Sequence, residues 1–421
     1  MKCYHIEGPS RLEGRVAVSG AKNSALKAMT AALMVPGEVV LDNVPRIADV
    51  YLMAEVLEEL GAAVDHDGNT LRIKASGDLA EETPYDLVRK MRASIQVLGP
   101  MLARTGRARV AMPGGDAIGS RPIDLHIRGL ERMGARFSTE HGYVEGVCDG
   151  LRGAHVLLEF PSVGATENLL MAAVLAEGET IIENAAREPE IQDLASFLNK
   201  CGAGIIGAGT NTIRVRGVRE LKGARHAIVP DRIEAGTYAI GAAATRGDVF
   251  LEGIPSHFME LPLQKLEAAG ASVERRGSGI RVRMDRRPAA MDIVTLPFPG
   301  FPTDLQPPMM VLLSQADGSS ILTENVFEAR FLFVDELNRM GTRIRVEGHH
   351  AVIRGVDKLS GAPVRAPDIR AGAALVLGGL CAEGRTEVYD EGHIDRGYED
   401  FPGKLKELSA AVEVREVPPA G

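Results

Sequence analysis

The sequence predicts an α/β protein of two domains, each made of three repeats of about 70 residues. A triplet of small residues ends a helical pattern six times, with its middle residue at positions 61, 134, 202, 270, 341 and 409. The intervals of 68 to 73 residues are too regular for chance. Each interval contains the same order of helix and strand patterns, and 421 residues are enough for two or three domains.

Each repeat opens with an alanine-rich helical stretch, such as 165–176 or 371–382. Because small side chains let neighbouring backbones approach closely, we expect these helices to be buried. A β-branched strand pattern follows, as in 179–184 and 248–252. The first half of a repeat is therefore a buried helix and a strand.

The second half of each repeat is an amphipathic helix and a short closing strand. Leu52, Val56 and Leu60 recur at a spacing of four, which is typical of one helix face. The glycine that follows such a helix ends it in a left-handed conformation. Residues 212–215 and 280–283 alternate between apolar and polar side chains and predict the closing strands.

The two domains are expected to divide after the third repeat, near Pro230. We predict a first domain of residues 20–229 and a discontinuous second domain of residues 1–19 plus 230–421. The strand pattern at 15–18 precedes the first repeat and is expected to pair with the second domain. The chain would then cross between the domains twice.

Composition favours a cytoplasmic protein and does not exclude an anionic small ligand. The 48 basic and 57 acidic side chains give a net charge of −9, which disfavours a nucleic-acid or anionic-membrane partner. The first residues have no apolar leader, and uncharged runs such as 371–382 are too short to span a bilayer. The four cysteines are scattered, with no metal-ligand spacing, so we expect no metal site and no disulfide framework.

Different polar residues stand where the alanine-rich helices begin, and helix starts are places where anions bind. Helix capping alone would explain Thr166, Asp304 and Asp368. It does not explain Lys22 and Arg370, because the positive end of the helix dipole disfavours a cation. We therefore infer that Lys22 and Arg370 serve a ligand.

The segment 113–122 is a distinctive glycine-rich loop, between a strand pattern at 109–112 and a helix that carries Asp124 and His126. Pro122 is expected to be the first helical residue after it. Composition leaves open whether the loop is an ordinary turn or a mobile lid. The sequence has neither a Walker A pattern nor a dinucleotide-binding glycine motif, so phosphate hydrolysis and dinucleotide redox chemistry find no support.

A specific set of motifs runs in order along almost the whole chain: 18–26 (VSGAKNSAL), 91–95 (MRASI), 113–115 (PGG), 119–126 (GSRPIDLH), 160–166 (FPSVGAT), 230–234 (PDRIE), 301–304 (FPTD) and 393–398 (HIDRGY). Together they closely resemble the UDP-N-acetylglucosamine 1-carboxyvinyltransferases, enolpyruvyl transferases of the EPSP synthase-like family. The resemblance implies a two-domain inside-out α/β barrel fold with six βαβαββ-type repeats. It also implies an active-site cleft between the domains, over which the 113–122 loop closes.

The resemblance implies transfer of the enolpyruvyl group of phosphoenolpyruvate to the 3'-hydroxyl of UDP-N-acetylglucosamine, with release of phosphate. This is the first committed step of peptidoglycan precursor synthesis. The two substrates would be the partners, with no cofactor, no nucleic acid and no membrane, and the chain is expected to be a monomer. Two alternatives stay open: a relative that acts on another hydroxyl acceptor, and a silent paralogue that binds a UDP-sugar and regulates a partner.

The resemblance also implies roles for individual residues, by the substrate that each group meets. The expected catalytic residues are Asp116, Lys22, Asp304 and Arg396. The expected phosphoenolpyruvate contacts are Lys22, Asn23, Arg121, Arg330, Arg370 and Arg396. The expected UDP-N-acetylglucosamine contacts are Asn23, Arg92, Arg121, Pro122, Ile123, Asp124, Leu125, Ser162, Val163, Gly164, Asp304 and Val326.

Four positions depart from the pattern of the family. Asp116 stands where a cysteine is usual, which implies insensitivity to fosfomycin, an epoxide that alkylates that thiol. Ala329 replaces an asparagine, Pro367 a threonine and Lys27 a proline. Each of these three lies beside an expected site residue without replacing it.

Overall fold

One supersecondary unit recurs along the chain in the computed structural model, which describes residues 1–75, 77–88, 91–112, 114, 118–119, 122–277 and 279–418. The helices are α1 (Lys22–Ala32), α2 (Ala48–Glu59), α3 (Tyr85–Val88), α4 (Leu98–Thr105), α5 (Asp124–Arg132), α6 (Val163–Val174), α7 (Pro189–Lys200), α8 (Arg232–Ala244), α9 (Glu260–Ala269), α10 (Gln306–Leu313), α11 (Val334–Arg339), α12 (Ile369–Cys381) and α13 (Phe401–Glu407). Short 3₁₀ helices span Arg92–Val97, Ser256–Phe258, Thr303–Leu305 and Ile394–Arg396.

The strands are β1 (Lys2–Gly8), β2 (Glu13–Ala17), β3 (Glu38–Asp42), β4 (Ala63–Asp67), β5 (Thr70–Lys74), β6 (Arg107–Ala111), β7 (Arg136–Glu140), β8 (Tyr143–Val147), β9 (His155–Leu157), β10 (Glu179–Glu183), β11 (Gly204–Ile206), β12 (Thr212–Arg216), β13 (Arg225–Ala227), β14 (Asp248–Glu252), β15 (Ser272–Arg276), β16 (Gly279–Arg283), β17 (Ile293–Val294), β18 (Ser319–Thr323), β19 (Arg343–Glu347), β20 (His350–Arg354), β21 (Leu359–Ser360), β22 (Pro363–Arg365), β23 (Ala382–Asp390) and β24 (Val412–Glu416).

The chain divides into two units. The first unit comprises Gly20–Gly115 and Arg121–Val229. The second unit comprises Met1–Ser19, Asp116–Ser120 and Pro230–Gly421. Within the described residues each unit has three sheets of its own, which gives six in all.

The repeat that begins with α8 shows how one unit of the pattern is built. Helix α8 leads into β14, α9 follows, and the hairpin β15–β16 returns along β14 in antiparallel pairing. Strand β2 joins the other edge of β14 in parallel. Alternate residues of β14 face the core, and its range matches the 248–252 strand predicted from the sequence.

The small residue after each second helix adopts the expected left-handed conformation. Gly270, for example, has φ +105° and lies at the end of α9. In the sixth repeat, where the glycine is missing, Ser409 takes the same region with φ 66°. This region is unfavourable for a residue with a side chain. Ser409 nevertheless adopts the backbone conformation that glycine has in the other repeats.

The first helix of each repeat lies at the centre of its unit, as predicted, but α10 (QPPMMVLL) contains no alanine, so not every such helix is alanine-rich. In the second unit α8, α10 and α12 contact one another, and all but the last residue of α12 are buried. A Cβ atom on Gly236 of α8 would lie 2.5 Å from Leu305, so only glycine permits this approach. In the first unit the matching inner helices are α1, α4 and α6. Helices inside and sheets outside are the inside-out α/β architecture that the family resemblance implies.

The sheet of the sixth repeat, which contains β23 and β24, also contains a strand from the other end of the chain. Strand β1 lies between β23 and β24 and is antiparallel to both. It takes the place that β16 has in the fourth repeat. In the first unit β13 pairs in parallel with β3, so the last strand of that unit completes its first sheet. The 15–18 pattern also pairs within the second unit, as β2 beside β14.

The cysteines are free thiols; Cys3, Cys148 and Cys201 are buried, and Cys381 is half-buried. No helix among the described residues combines the length and the apolarity that a membrane span requires.

Candidate active site

The expected site residues fall into two sets, one on each unit. The first unit carries Lys22, Asn23, Arg92, Pro122, Ile123, Asp124, Leu125, Ser162, Val163 and Gly164. The second unit carries Asp304, Val326, Arg330, Arg370 and Arg396. Asp116 and Arg121 lie outside the described residues, so their expected roles stay predictions from the sequence.

Lys22 is the first residue of α1, and it is buried against a carboxylate. Its Nζ lies 2.7 Å from Oδ2 of Asp49 on α2. Both side chains are more than nine-tenths buried. The ammonium group that the helix dipole disfavours is thus stabilised by a neighbouring helix. The sequence did not predict Asp49, whose only signal is an acidic residue on the buried face of α2.

The residues expected to contact the sugar nucleotide at 162–164 form the start of α6. Ser162 caps this helix, because its Oγ accepts a hydrogen bond from the amide of Ala165 at 3.3 Å. Thr166 is therefore not a cap, contrary to the capping interpretation, and it accepts instead from the amide of Ala186. Helix α6 accordingly begins at Val163, two residues before the alanine pattern.

Gly164 touches two side chains at this helix start. A Cβ atom on it would lie 3.2 Å from Nε2 of Gln96 and 3.2 Å from His126, which leaves little room for a side chain. Nε2 of Gln96 donates to the carbonyl oxygen of Gly164 at 3.1 Å. The side-chain amide of Gln96 therefore fixes the backbone that is expected to contact the sugar nucleotide.

His126, on α5, is a neutral imidazole. Burial lowers its pKa to about 3, and the positive charges of Arg92 and Lys27 add to the effect. Its Nδ1 lies 3.0 Å from Nδ2 of Asn168, which can only donate, so the proton of the ring is on Nε2. His126 thus offers a fixed N–H group beside Gly164.

Helix α5 begins at Asp124, so Pro122 lies two residues before the helix. Pro122 is exposed. The prediction that Pro122 is the first helical residue is wrong: Ile123 has φ −104° and ψ 8°, which places the turn into the helix after the proline. Ile123 is buried, while Asp124 and Leu125 are half-buried. The segment therefore presents a partly exposed helix start.

In the second unit, Asp304 lies between two arginines. Its Oδ1 is 2.8 Å from Nη1 of Arg330, and its Oδ2 is 3.2 Å from Nε of Arg370. Only 3% of the Arg330 side chain and 5% of the Arg370 side chain are exposed. Asp304 belongs to a 3₁₀ turn and caps no helix, whereas Asp368 does cap α12. Capping thus explains Asp368 but not Asp304.

The electrostatics of this cluster favour a permanently ionised carboxylate. Burial opposes ionisation of Asp304, yet the facing guanidinium groups of Arg330 and Arg370 hold its pKa well below the usual range. Nε of Arg330 and Nη1 of Arg370 are buried and have no hydrogen-bond acceptor among the described residues. The cluster therefore keeps donor groups for a further anion.

Glu324, which the sequence did not predict, organises the backbone around this cluster. Its Oε2 accepts from Oγ1 of Thr303 at 2.9 Å, and Thr303 in turn accepts from Nη1 of Arg330. Its Oε1 accepts from the amide of Val326 at 2.8 Å. One fully buried carboxylate thus holds both the turn of Asp304 and the loop of Val326. A charged residue directly after a strand of alternating burial was the available signal.

Arg396 and Tyr398 lie two residues apart near the end of the second unit. Arg396 ends a 3₁₀ helix and is half-buried. The ring of Tyr398 lies 5.2 Å from the guanidinium carbon of Arg370, and its hydroxyl is 2.9 Å from Oγ1 of Thr237. Tyr398 therefore supports the face of Arg370 that Asp304 leaves free.

Over the described ranges no group of His, Cys, Asp and Glu has the arrangement of a metal site.

Comparisons with known proteins agree in one family. The model of the family EPSP synthase (3-phosphoshikimate 1-carboxyvinyltransferase) matches residues 6–405. The chain is 55% identical to UDP-N-acetylglucosamine 1-carboxyvinyltransferase of Corynebacterium jeikeium, over 97% of this chain and 98% of that protein. It is 53% identical to the protein of the same name from Mycobacterium tuberculosis, again over 97% and 98% of the two chains.

Solved structures give the same result for the fold. The enolpyruvyl transferase NikO from Streptomyces tendae superposes with a TM-score of 0.90 at 25% identity, over 99% of both chains. EPSP synthase from Acinetobacter baumannii has a TM-score of 0.76 at 19% identity, over 99% of this chain and 100% of that one, which shows the fold alone. The chain therefore belongs to the EPSP synthase family, and it resembles UDP-N-acetylglucosamine 1-carboxyvinyltransferases over almost its whole length.

Proposed function

We propose that this protein transfers the enolpyruvyl group of phosphoenolpyruvate to the 3'-hydroxyl of UDP-N-acetylglucosamine and releases phosphate. The reaction would be the first committed step of peptidoglycan precursor synthesis. The observation that carries the proposal is the ionised Asp304 between two buried arginines, which retain unpartnered donor groups among the described residues. Similarity of more than half the residues to proteins named for this activity supports it.

The proposed chemistry is an addition followed by an elimination. The methylene carbon of phosphoenolpyruvate takes a proton while the sugar hydroxyl loses one and its oxygen bonds to the adjacent carbon. The bond from that carbon to the phosphate oxygen then breaks, phosphate leaves, and loss of a methyl proton restores the double bond. The sugar keeps the enolpyruvyl ether. Atoms and charges balance without a cofactor.

Cations are the main requirement of such a site, because phosphoenolpyruvate carries a carboxylate and a phosphate. We propose that Lys22, Arg121, Arg330, Arg370 and Arg396 bind these two groups. Fixed guanidinium groups in a buried environment stabilise anions without reorganisation during the reaction. Arg330 and Arg370 are well suited to this role, since Asp304, Thr303 and Tyr398 hold their planes in place.

Asp304 is the proposed base that takes the proton of the sugar hydroxyl. A carboxylate with a lowered pKa is a weak base, so its basicity must rise when substrate binds. An incoming anion would share the two guanidinium groups and repel the carboxylate, and both effects raise its pKa. Binding of phosphoenolpyruvate would thus activate Asp304. Asp116 is the proposed acid that protonates the methylene carbon.

The first unit would bind the sugar nucleotide. We propose that Asn23, Arg92, the 121–125 segment and the 162–164 helix start meet UDP-N-acetylglucosamine, together with Asp304 and Val326. The cap of α6 leaves amides in its first turn that suit an anionic group. We propose further that the reaction takes place in the cytoplasm and that the protein acts as a monomer on these two small molecules.

The test is phosphate release by the purified chain with both substrates, together with detection of the vinyl ether product by NMR. Phosphate release that requires both substrates supports the proposal. Asp304→Asn should abolish product formation. Asp248→Asn is the matched control, because Asp248 pairs with Arg281 at 2.6 Å on the outer sheet and should be dispensable. Release with another acceptor but not with UDP-N-acetylglucosamine would contradict the proposed acceptor, and binding without turnover would favour the silent paralogue.

A further inference from the structure

A buried polar chain in the first unit connects α1, the 3₁₀ helix at Arg92–Val97 and α6. Nζ of Lys27 on α1 lies 3.0 Å from Oε2 of Glu167 on α6. The same oxygen accepts from Nε2 of Gln96, in the 3₁₀ helix before α4, at 3.3 Å. All three side chains are more than nine-tenths buried.

The chain ends on the backbone that is expected to meet the sugar nucleotide. The amide nitrogen of Gln96 has two hydrogens, and it donates to the carbonyl of Gly164 at 3.1 Å as well as to Glu167. An ionised carboxylate can only accept, so it dictates that the nitrogen and not the oxygen of Gln96 faces this corner. We propose that Lys27, Glu167 and Gln96 are positioning residues for the sugar-nucleotide contacts at the start of α6, an inference that rests on the proposed function.

Two unpartnered oxygens show why the ionised state matters. Oε1 of Glu167 and Oε1 of Gln96 are both buried without a donor among the described residues. If Glu167 is protonated, its hydroxyl needs an acceptor, and the amide oxygen of Gln96 is the unsatisfied acceptor on the neighbouring side chain. Turning the amide to meet it withdraws Nε2 from Gly164. The helix start then loses its support.

Titration of Glu167 links this switch to pH. Burial raises the pKa of Glu167 to about 7 against the attraction of Lys27, and Glu190 and Glu188 raise it further. His126, which also faces Gly164, stays neutral because its pKa is lowered to about 3. The folded protein therefore gains the ionised, amide-locking form as the pH rises through about 7.

The experiment measures the Kd of UDP-N-acetylglucosamine for the full chain by calorimetry, from about pH 6 to about pH 8. For a pKa near 7 the ionised, competent fraction is roughly tenfold smaller at pH 6 than at pH 8, so the unaltered chain should bind about tenfold more weakly at the lower pH. Lys27→Met should bind weakly throughout, since a carboxyl without its cation stays protonated. The kcat should change less than twofold while KM follows Kd.

A double variant separates positioning from stability. In Lys27→Met/Glu167→Gln the new amide oxygen accepts from Nε2 of Gln96 at every pH, so Kd should be tight and independent of pH. Lys404→Met is the matched control: it breaks a buried lysine–glutamate pair with Glu234 at 2.6 Å in the second unit. It should lower the Tm as Lys27→Met does, yet keep the Kd and pH profile of the unaltered chain.

The outcomes distinguish this inference from the proposed function. A Kd of the unaltered chain that does not vary with pH, or a double variant that keeps the pH dependence, overturns the positioning role while phosphate release still supports the function. An unaltered chain that neither binds UDP-N-acetylglucosamine nor releases phosphate overturns both.

Discussion

Nε of Arg370 lies 3.2 Å from Oδ2 of Asp304, although the two residues belong to different repeats. Asp304 immediately precedes α10, and Arg370 lies in the first turn of α12. The starts of two inner helices of the second unit therefore meet at one carboxylate. In the first unit, side chains of α1, the 3₁₀ helix at Arg92–Val97 and α6 also meet at one carboxylate, that of Glu167.

Replacing Arg370 by methionine tests the guanidinium pair. The change removes one of two cations that face Asp304 and a donor proposed to meet phosphoenolpyruvate. We expect kcat to fall by about 100- to 1000-fold, the usual effect of losing one such donor. Steady-state phosphate release measures it. Arg281→Met, which breaks the outer pair with Asp248, is the control and should keep normal turnover. Comparable activity in both variants would remove Arg370 from the site.

The stability of the protein should depend on Asp304 with a definite sign. The pKa of Asp304 is lower in the folded protein than in the unfolded chain, where it is about 3.9. Its stabilising effect is therefore complete above that pH and is lost as the pH falls towards the folded value. Asp304→Asn should lower the Tm by a few degrees at neutral pH and by less at about pH 3. Calorimetric melting of both proteins measures the difference, and a gap that widens in acid would contradict the assignment.

Lys22→Met separates the stability of the buried ion pair from its function. The change removes the buried cation 2.7 Å from the Asp49 carboxylate, and because breaking a buried pair is strongly destabilising, the free energy of unfolding should fall by about 3 to 5 kcal/mol. The double variant Lys22→Met/Asp49→Asn should recover much of this stability because neither charge remains. Phosphate release should stay abolished in both variants. Denaturant unfolding and turnover, measured side by side, decide the matter: recovered turnover in the double variant would show that Lys22 has only a structural role.

Asp116 carries a prediction that rests on the sequence alone. An aspartate titrates near 3.9, and a pKa near 7 would require about 4 kcal/mol, so we expect an activity optimum at a lower pH than in Asp116→Cys. The unaltered chain should resist fosfomycin, because a carboxylate is a far weaker nucleophile than a thiolate. Asp116→Cys should remain active and become inactivated with time.

Mass spectrometry locates the expected adduct on the new cysteine. Ala117→Cys, one residue further along, is the control and should acquire no adduct. Time-dependent inactivation of the unaltered chain, or full activity of Asp116→Ala, would contradict the proposed role of Asp116.

Local patterns predicted the elements of the fold well. The 248–252 strand matches β14, because alternation of Val249 and Leu251 with polar residues leaves one face to bury. Helix α6 begins earlier than its alanines, because Ser162 supplies the cap. The place of β1 in the sixth sheet was not predicted, since its partners lie almost the whole chain away. Such pairings leave no local period.

Site roles were predicted for Lys22 and Asp304 because they stand in motifs, and for Arg370 because it is a cation at a helix start. Their partners were not. Asp49, Gln96 and Glu324 lie outside the motifs, and each contacts a group distant in sequence. Burial decides their importance, and burial of a polar residue cannot be read from its neighbours in the chain.

Strand β1 has a consequence for the order in which the chain folds during synthesis. Its residues leave the ribosome before those of the first unit, whereas both of its neighbours, β23 and β24, follow nearly 380 residues later. The first unit needs nothing beyond Val229 and can close its three sheets while translation continues. Tyr4 and Ile6 are fully buried in the folded protein, but before β23 and β24 are synthesised they have no partner strand to pack against. Strand β1 thus stays unpaired until β23 and β24 have been synthesised, and it is a segment that a chaperone would need to cover until then.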